Sequence, residues 1–299
     1  MPPLIEAHDL SKHYGSTIAL DAVNFEVHEG VTGLLGPNGA GKSTAIKLFL
    51  GLIRPTSGSA EVLGKRPYDS VESRSRLGYM PETETVPSNM NASEFLMHMA
   101  QLSGLPPAHA RTRAADILRH VGLDEERYRL IGEYSTGMKQ RVKLAQSLVH
   151  DPVLVLLDEP TAGLDPGGRE EMLELIRRTA HSFGISMLLS THLMGDIERT
   201  ADRVILLENG RVSEEGALSE FTQETEDLLI EVDDREGVAR ALSGRGVRVI
   251  EEPQQLVVQN ATDADYDAIR DAVADVGARL RRLTPRRHTL TEMFRRREE

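Results

Sequence analysis

Short apolar runs alternate with amphipathic stretches along the first two-thirds of the chain, the pattern of an α/β domain. VTGLLG (31–36) reads as a buried strand, and KSTAIKLFLGLI (42–53) behind it has helical spacing. VLVLLD (153–158) holds no turn former, which fits a strand covered on both faces, and ISMLLS (185–190) and RVILLE (203–208) repeat that character. Between about residues 88 and 150 the texture turns helical, because NASEFLMHMAQLSG, AHARTRAADILRHVG and GMKQRVKLAQSLVH are each amphipathic. A helical subdomain is therefore expected between the early strands and VLVLLD. The polar SEFTQETED near 220–227 marks a second boundary, giving domains 1–220 and 221–299. Beyond it the pattern predicts strand 228–233, helix 235–243, strands 246–251 and 255–259, helix 263–276 and strand 278–283. That β-α-β-β-α-β order describes a small α+β, ferredoxin-like domain. PRRHTLTEMFRRREE then closes the chain as an expected helix.

Composition narrows the class. A chain of 299 residues, 39% hydrophobic, suffices for one large domain and one small. It contains no uninterrupted apolar run long enough to span a bilayer and no secretory signal at its start. The absence of cysteine excludes disulfides and Cys-ligated metals and fits a reducing cytosol. A net charge of −12 argues against a protein that wraps nucleic acid through its phosphates, so no nucleic-acid partner is expected. The tail over 281–299 departs from this, with seven Arg against three Glu. It is either a solvated helix end or a contact for anionic headgroups or an acidic surface.

The chemistry begins at GPNGAGKST (36–44), which follows one predicted strand and opens a helix. Gly36, Gly41, Lys42 and Ser43 match the phosphate-binding pattern G-x-x-x-x-G-K-[ST]. Glycines let the backbone N–H groups of Gly36, Pro37-Asn38-Gly39-Ala40 and Gly41 turn around phosphate oxygens; Pro37 itself carries none. The helix start through Ser43 and Thr44 adds partial positive charge. Lys42 can reach the β- and γ-phosphates, and the Ser43 hydroxyl can ligate Mg²⁺. A glycine-rich helix cap alone would not explain Lys-Ser at its end. Downstream, Asp158 at the end of a buried strand would bind Mg²⁺, and Glu159 would polarise the water that attacks the γ-phosphorus.

With the cradle, VLLDEP and YSTGMKQR (134–141) in one chain and in this order, the sequence resembles the ATP-binding cassette (ABC) family of transporter nucleotide-binding domains. The resemblance runs over roughly residues 4–218. It implies a P-loop NTPase cassette: a RecA-like core, an antiparallel β subdomain and an inserted helical subdomain. The family's L-S-G-G-Q segment, which completes the ATP site of an opposite subunit, matches Tyr134-Ser135-Thr136-Gly137-Met138. The serine and second glycine are kept, so Ser135, Thr136 and Gly137 are expected to meet ATP across a dimer interface. Tyr14 matches the aromatic that stacks on adenine; an exposed loop tyrosine is the plainer reading. Asp165, in GLDP (163–166), matches the loop that faces the partner, and His192, in LLSTH, matches the histidine that contacts the γ-phosphate. GYMPE (78–82) places Glu82 where the family usually has glutamine; a carboxylate there can still bind Mg²⁺.

The family couples that last loop to a membrane partner, and the methionines of MNASEFLMHMA (90–100) serve either core packing or such docking. The second domain and TLTEMF (289–294) resemble the C-terminal extension of cassettes that pair with ABC-2-type permeases. The resemblance thus implies an ATP- and Mg²⁺-dependent ATPase that pairs with a second copy of itself. It would sit on the cytoplasmic face of the membrane through a separate permease and drive export. Two other readings compete. A soluble ABC ATPase acting on nucleic acid or ribosomes would usually bring coiled-coil arms or a second cassette. A P-loop kinase would leave YSTGMKQR and LLSTH unexplained.

Overall fold

The computed structural model describes residues 2–83, 86–222, 224–287 and 290. It divides into two compact units, Met1–Leu218 and Ser219–Glu299, with the break two residues before the boundary expected from sequence. The short helix α8 (Leu218–Phe221) carries the division.

In the first unit, β1 (Ile5–Tyr14), β2 (Thr17–Val27) and β4 (Ser57–Val62) form an antiparallel sheet in the order β2-β1-β4. The larger sheet runs β5-β6-β7-β3-β8-β9. Its strands are β5 (Leu77–Met80), β6 (Leu154–Asp158), β7 (Ser186–Thr191), β3 (Val31–Leu35), β8 (Arg203–Glu208) and β9 (Arg211–Ala217). All neighbours are parallel except the β8–β9 pair. Every residue of β3, β6 and β7 is buried, which is why these runs lack polar alternation. Leu35 pairs with Thr191 and Asp158 with Ser190, so the carboxyl ends of β3, β7 and β6 lie side by side. That edge is where parallel sheets place ligands.

Helix α1 (Lys42–Phe49) is shorter than the expected 42–53, because Gly51 takes a left-handed backbone (φ 65°) and turns the chain. Phe49 is fully buried and meets Phe25 edge to face at 5.7 Å, joining α1 to the antiparallel sheet. Helix α2 (Val71–Ser75) precedes β5. The helical part comprises α3 (Ala92–Leu102), α4 (Pro107–His120) and α5 (Thr136–Leu148). An Asn91–Glu94 capping box starts α3, and Ala92, Phe95, Leu96 and Ala100 form its buried face. Met90, Met97 and Met99 are only half-buried, at the margin of that face. The unit is completed by α6 (Pro166–Phe183) and α7 (Met194–Thr200).

His120, at the end of α4, anchors the helical part to α6. Its Nε2 lies 2.8 Å from the Thr179 hydroxyl and its ring centroid 4.6 Å from that of Phe183. Thr179 donates to the Leu175 carbonyl (2.7 Å), so it accepts from His120 and Nε2 carries the proton. Burial, then the charges of Arg178 and Arg113, hold this imidazole below its ordinary pKa of 6.5. The unfolded chain therefore binds the proton more readily than the folded one. The contribution is complete above the ordinary value and is lost as pH falls towards the lowered one. Thermal denaturation between about pH 7.5 and about pH 5.5 should show a falling Tm, and His120→Gln should reduce that slope. An unchanged slope would place the acid sensitivity elsewhere.

The second unit contains β10 (Glu224–Val232), α9 (Arg235–Gly244), β11 (Val249–Glu251), β12 (Leu256–Val258), α10 (Asp263–Val276) and β13 (Leu280–Arg287). Its antiparallel sheet has the order β11-β12-β10-β13. Leu228, Ile230 and Val232 pack with Val238, Leu242 and Ile269 to form its core. The element order matches expectation, but β11 starts three residues late and β13 runs on through Pro285 to Arg287. Proline is tolerated there because β13 is an edge strand. The expected closing helix 285–299 does not begin where the sequence suggests, because Pro285, Arg286 and Arg287 continue β13 as strand; beyond them only Leu290 falls among the described residues, and the rest of TLTEMF lies outside them.

Candidate functional site

The loop from Gly36 to Gly41 joins β3 to α1, and its glycines are needed for different reasons. A Cβ at Gly36 would strike the Leu207 carbonyl, and one at Gly41 the Ala19 carbonyl. Gly39 and Gly41 have φ of 83° and 107°, the left-handed region that costs other residues about 1–2 kcal/mol. The space beside Gly39 is open, whereas Ala40 is buried against the core. Pro37 and Asn38 form the exposed crest of the loop, and Thr44 follows Ser43 in the first turn of α1. No side chain caps α1, which leaves its first N–H groups available to an anion.

Lys42 is 6% exposed. Its ammonium donates to the carbonyls of Gly36 (2.7 Å) and Pro37 (3.2 Å) and stands 3.4 Å from the Glu159 carboxylate. The Ser43 hydroxyl donates to Asp158 Oδ1 at 3.1 Å, and Ser190 donates to the same oxygen at 2.6 Å. Glu159 follows β6 in a left-handed backbone conformation (φ 46°), fixed by its N–H to the Ser190 carbonyl at 3.1 Å. His192 Nδ1 lies 3.1 Å from both Glu159 carboxylate oxygens. An ionised carboxylate only accepts, so Nδ1 donates in this arrangement. The structure thus gathers Lys42, Ser43, Asp158, Glu159 and His192 into one cluster.

Tyr79, on β5, was not singled out by sequence. Burial, then Asp158 and Glu82, push its hydroxyl up to about 12, so it remains a neutral donor beside the two acids. Glu82 itself is exposed, and its backbone carbonyl accepts from the buried Lys143 of α5 at 2.9 Å. Among the described residues no three acidic or histidine side chains form a self-sufficient metal site. The Ser43 hydroxyl and Asp158 carboxylate offer an oxygen-only donor set, which fits Mg²⁺ held jointly by protein and phosphates.

The remaining predicted residues lie apart from that cluster. Ser135 caps α5, its oxygen accepting the Met138 N–H at 3.3 Å, which leaves its own proton free to donate. Tyr134 is buried and donates to the Glu126 carbonyl at 2.6 Å, so the residue that replaces the family's leucine serves packing. Ser135, Thr136 and Gly137 line an open groove of about 630 Å³ together with Gly163, Leu164 and Asp165; no residue of the 36–44 loop lines it. A Cβ at Gly137 would meet only Leu164, at an ordinary 3.8 Å. Its own chain therefore does not demand a glycine there. Asp165 caps α6 by accepting the Gly168 N–H at 2.8 Å. Tyr14 ends β1, is half exposed, and has the Lys12 ammonium 5.2 Å from its ring centre.

Sequence reasoning passed over Ser190, Thr161 and Asp196, whose hydroxyls and carboxylate brace this cluster. Thr161 and Asp196 belong to no recognisable spacing, and Ser190, though inside LLSTH, reads there only as a strand residue. Only burial marks them.

A family model described as ABC transporter matches residues 20–162. The bacitracin transport ATP-binding protein BcrA of Bacillus licheniformis is 40% identical, over 72% of this chain and 70% of that protein. The Nod factor export ATP-binding protein I of Burkholderia thailandensis is 34% identical, over 84% of this chain and 94% of that protein. A solved structure described as the ATP-binding subunit of an ABC transporter is 35% identical. It covers 73% of this chain and 91% of its own, with a TM-score of 0.64.

Proposed function

Because the chain belongs to the ABC transporter family, as an ATP-binding subunit that hydrolyses ATP, we propose that two copies close around two ATP molecules to drive export. The carrying observation is the separation of two half-sites within one chain. The Lys42–Glu159–His192 cluster is in one place, and Ser135 and Gly137 line a groove to which the phosphate loop contributes nothing. A second copy supplies what each half lacks.

In this reading the N–H groups of the 36–44 loop and Lys42 hold the β- and γ-phosphates, and Tyr14 stacks on the base. Ser43 and Asp158, with Glu82 nearby, hold Mg²⁺, which supplies charge neutralisation on the phosphate oxygens. Glu159 orients the attacking water and accepts its proton, and His192 steadies both Glu159 and the terminal phosphate. Ser135 donates to the partner's γ-phosphate, and Asp165 stands at the interface.

No helix among the described residues is long and apolar enough to cross a membrane. In this reading a separate membrane-spanning partner provides the transport path, as the likeness to transporter ATP-binding subunits supports. The named relatives in transport and export favour an ABC-2-type permease, with this subunit on its cytoplasmic face. They give no support to action on nucleic acid or ribosomes. The strand order of the second unit supports a ferredoxin-like accessory domain.

Complementation tests the shared site. Ser135→Arg blocks the donated half and Lys42→Ala the receiving half, so each variant alone should be inactive. Mixing them creates heterodimers with one site free of both changes, and ATPase activity should reappear. A cross-linked mixed dimer without activity would count against sharing in trans.

A further inference from the structure

Asp196, in the first turn of α7, is a carboxylate only 1% exposed that the proposed chemistry does not use. Its partners come from three separate segments. Thr161, two residues beyond Glu159, donates to Oδ2 at 2.8 Å. Thr191, immediately before His192, donates to the same oxygen at 3.3 Å. Arg169, in the opening turns of the helix capped by Asp165, donates to Oδ1 at 2.5 Å. The neighbouring Ile197 is fully buried and occupies the space beside Gly33, in the strand that feeds the phosphate loop. Asp196 is thereby fixed with respect to β3 while it grips the loops of Glu159 and His192.

We infer that Asp196 is a positioning residue for hydrolysis, holding the Glu159 and His192 loops in register with each other and with the phosphate loop. This deepens the ATPase reading and rests on it. The reason for a charged group is geometric. One carboxylate accepts several donors at once, whereas an apolar side chain would leave two threonine hydroxyls and a guanidinium without their acceptor. Its contacts lie at the bases of the reacting loops and none goes to the phosphate cradle, so its loss should act on the chemical step more than on ATP binding. Misplacement of reacting groups by a fraction of an ångström is enough for that.

The test compares Asp196→Asn, Thr161→Val and the double variant as purified full-length chains, measuring kcat, KM for ATP and Tm. Thr161→Val removes one donor at constant volume, so it remains informative should Asp196→Asn fold poorly. Each single variant is expected to lose about 10-fold in kcat, with KM within about 3-fold of the original. The double variant should be no slower than the slower single, because both changes break one network. Wild-type kcat in Thr161→Val and in a folded Asp196→Asn would overturn the inference. Losses that multiply in the double variant, or that merely track the unfolded fraction, would overturn it too. Lys42→Ala serves as the reference: if it turns over at the original rate, the ATPase reading itself fails. If it is inactive while the Asp196 and Thr161 variants run at full speed, only the positioning role fails.

Discussion

Glu159→Gln is expected to bind ATP, hydrolyse it about 10²- to 10⁴-fold more slowly, and remain dimeric for as long as ATP is present. The substitution keeps shape and removes only the ability to take a proton. An amide oxygen can still accept from Lys42, 3.4 Å away in the native protein, and from His192 Nδ1, so the site should keep its architecture. Lowering the negative charge beside the γ-phosphate should also tighten ATP binding. Single-turnover hydrolysis gives the rate, and sedimentation with and without ATP gives the assembly. Near-normal turnover would remove Glu159 from the chemistry, and a monomer at saturating ATP would remove the closed pair from the mechanism.

Lys42→Ala should act on binding instead. Hydrogen bonds from a charged donor contribute roughly 1.5–3 kcal/mol each, so losing one to the phosphates weakens ATP binding by about 10- to 10²-fold, and two would multiply that. The buried Glu159 carboxylate loses its nearest cation at the same time, so an added anion meets more repulsion. Titration with a fluorescent ATP analogue should show the loss, and steady-state activity should vanish at ordinary ATP concentrations. Affinity and turnover close to those of the unmodified chain would show that the triphosphate binds elsewhere.

The parts of this site that could be read from sequence were contiguous. Nine consecutive residues, the 36–41 loop and the first three of α1, carry the cradle; Asp158-Glu159 end the all-apolar VLVLL, and His192 follows β7, a buried strand that closes on Ser190 and Thr191. The parallel pairing of β6, β7 and β3 then brings those ends together, as the α/β pattern leads one to expect. The antiparallel sheet was harder to see. β1 changes register three times against β2, so its alternation of apolar and polar positions breaks before it becomes periodic. Asp196 was invisible for another reason. In MGDIERT it reads as one more surface acid, and only folding brings Thr161, Thr191 and Arg169 around it. Tyr79 likewise meets Asp158 only through folding, although Glu82 stands three residues from it in the chain.

The outermost strand of the second unit has a bearing on how copies of this protein can associate. Strand β13 presents Pro285, which has no amide hydrogen to offer an incoming chain, and the charged Arg281, next to Arg282, whose guanidinium lies 3.7 Å from Glu231 of β10. Such a border repels continuation of the sheet into a neighbouring molecule, the usual route by which bare edges seed fibres. That border therefore favours pairing of second units through their other edge strand, β11, or through their helices, and high local concentration need not turn them into a ribbon.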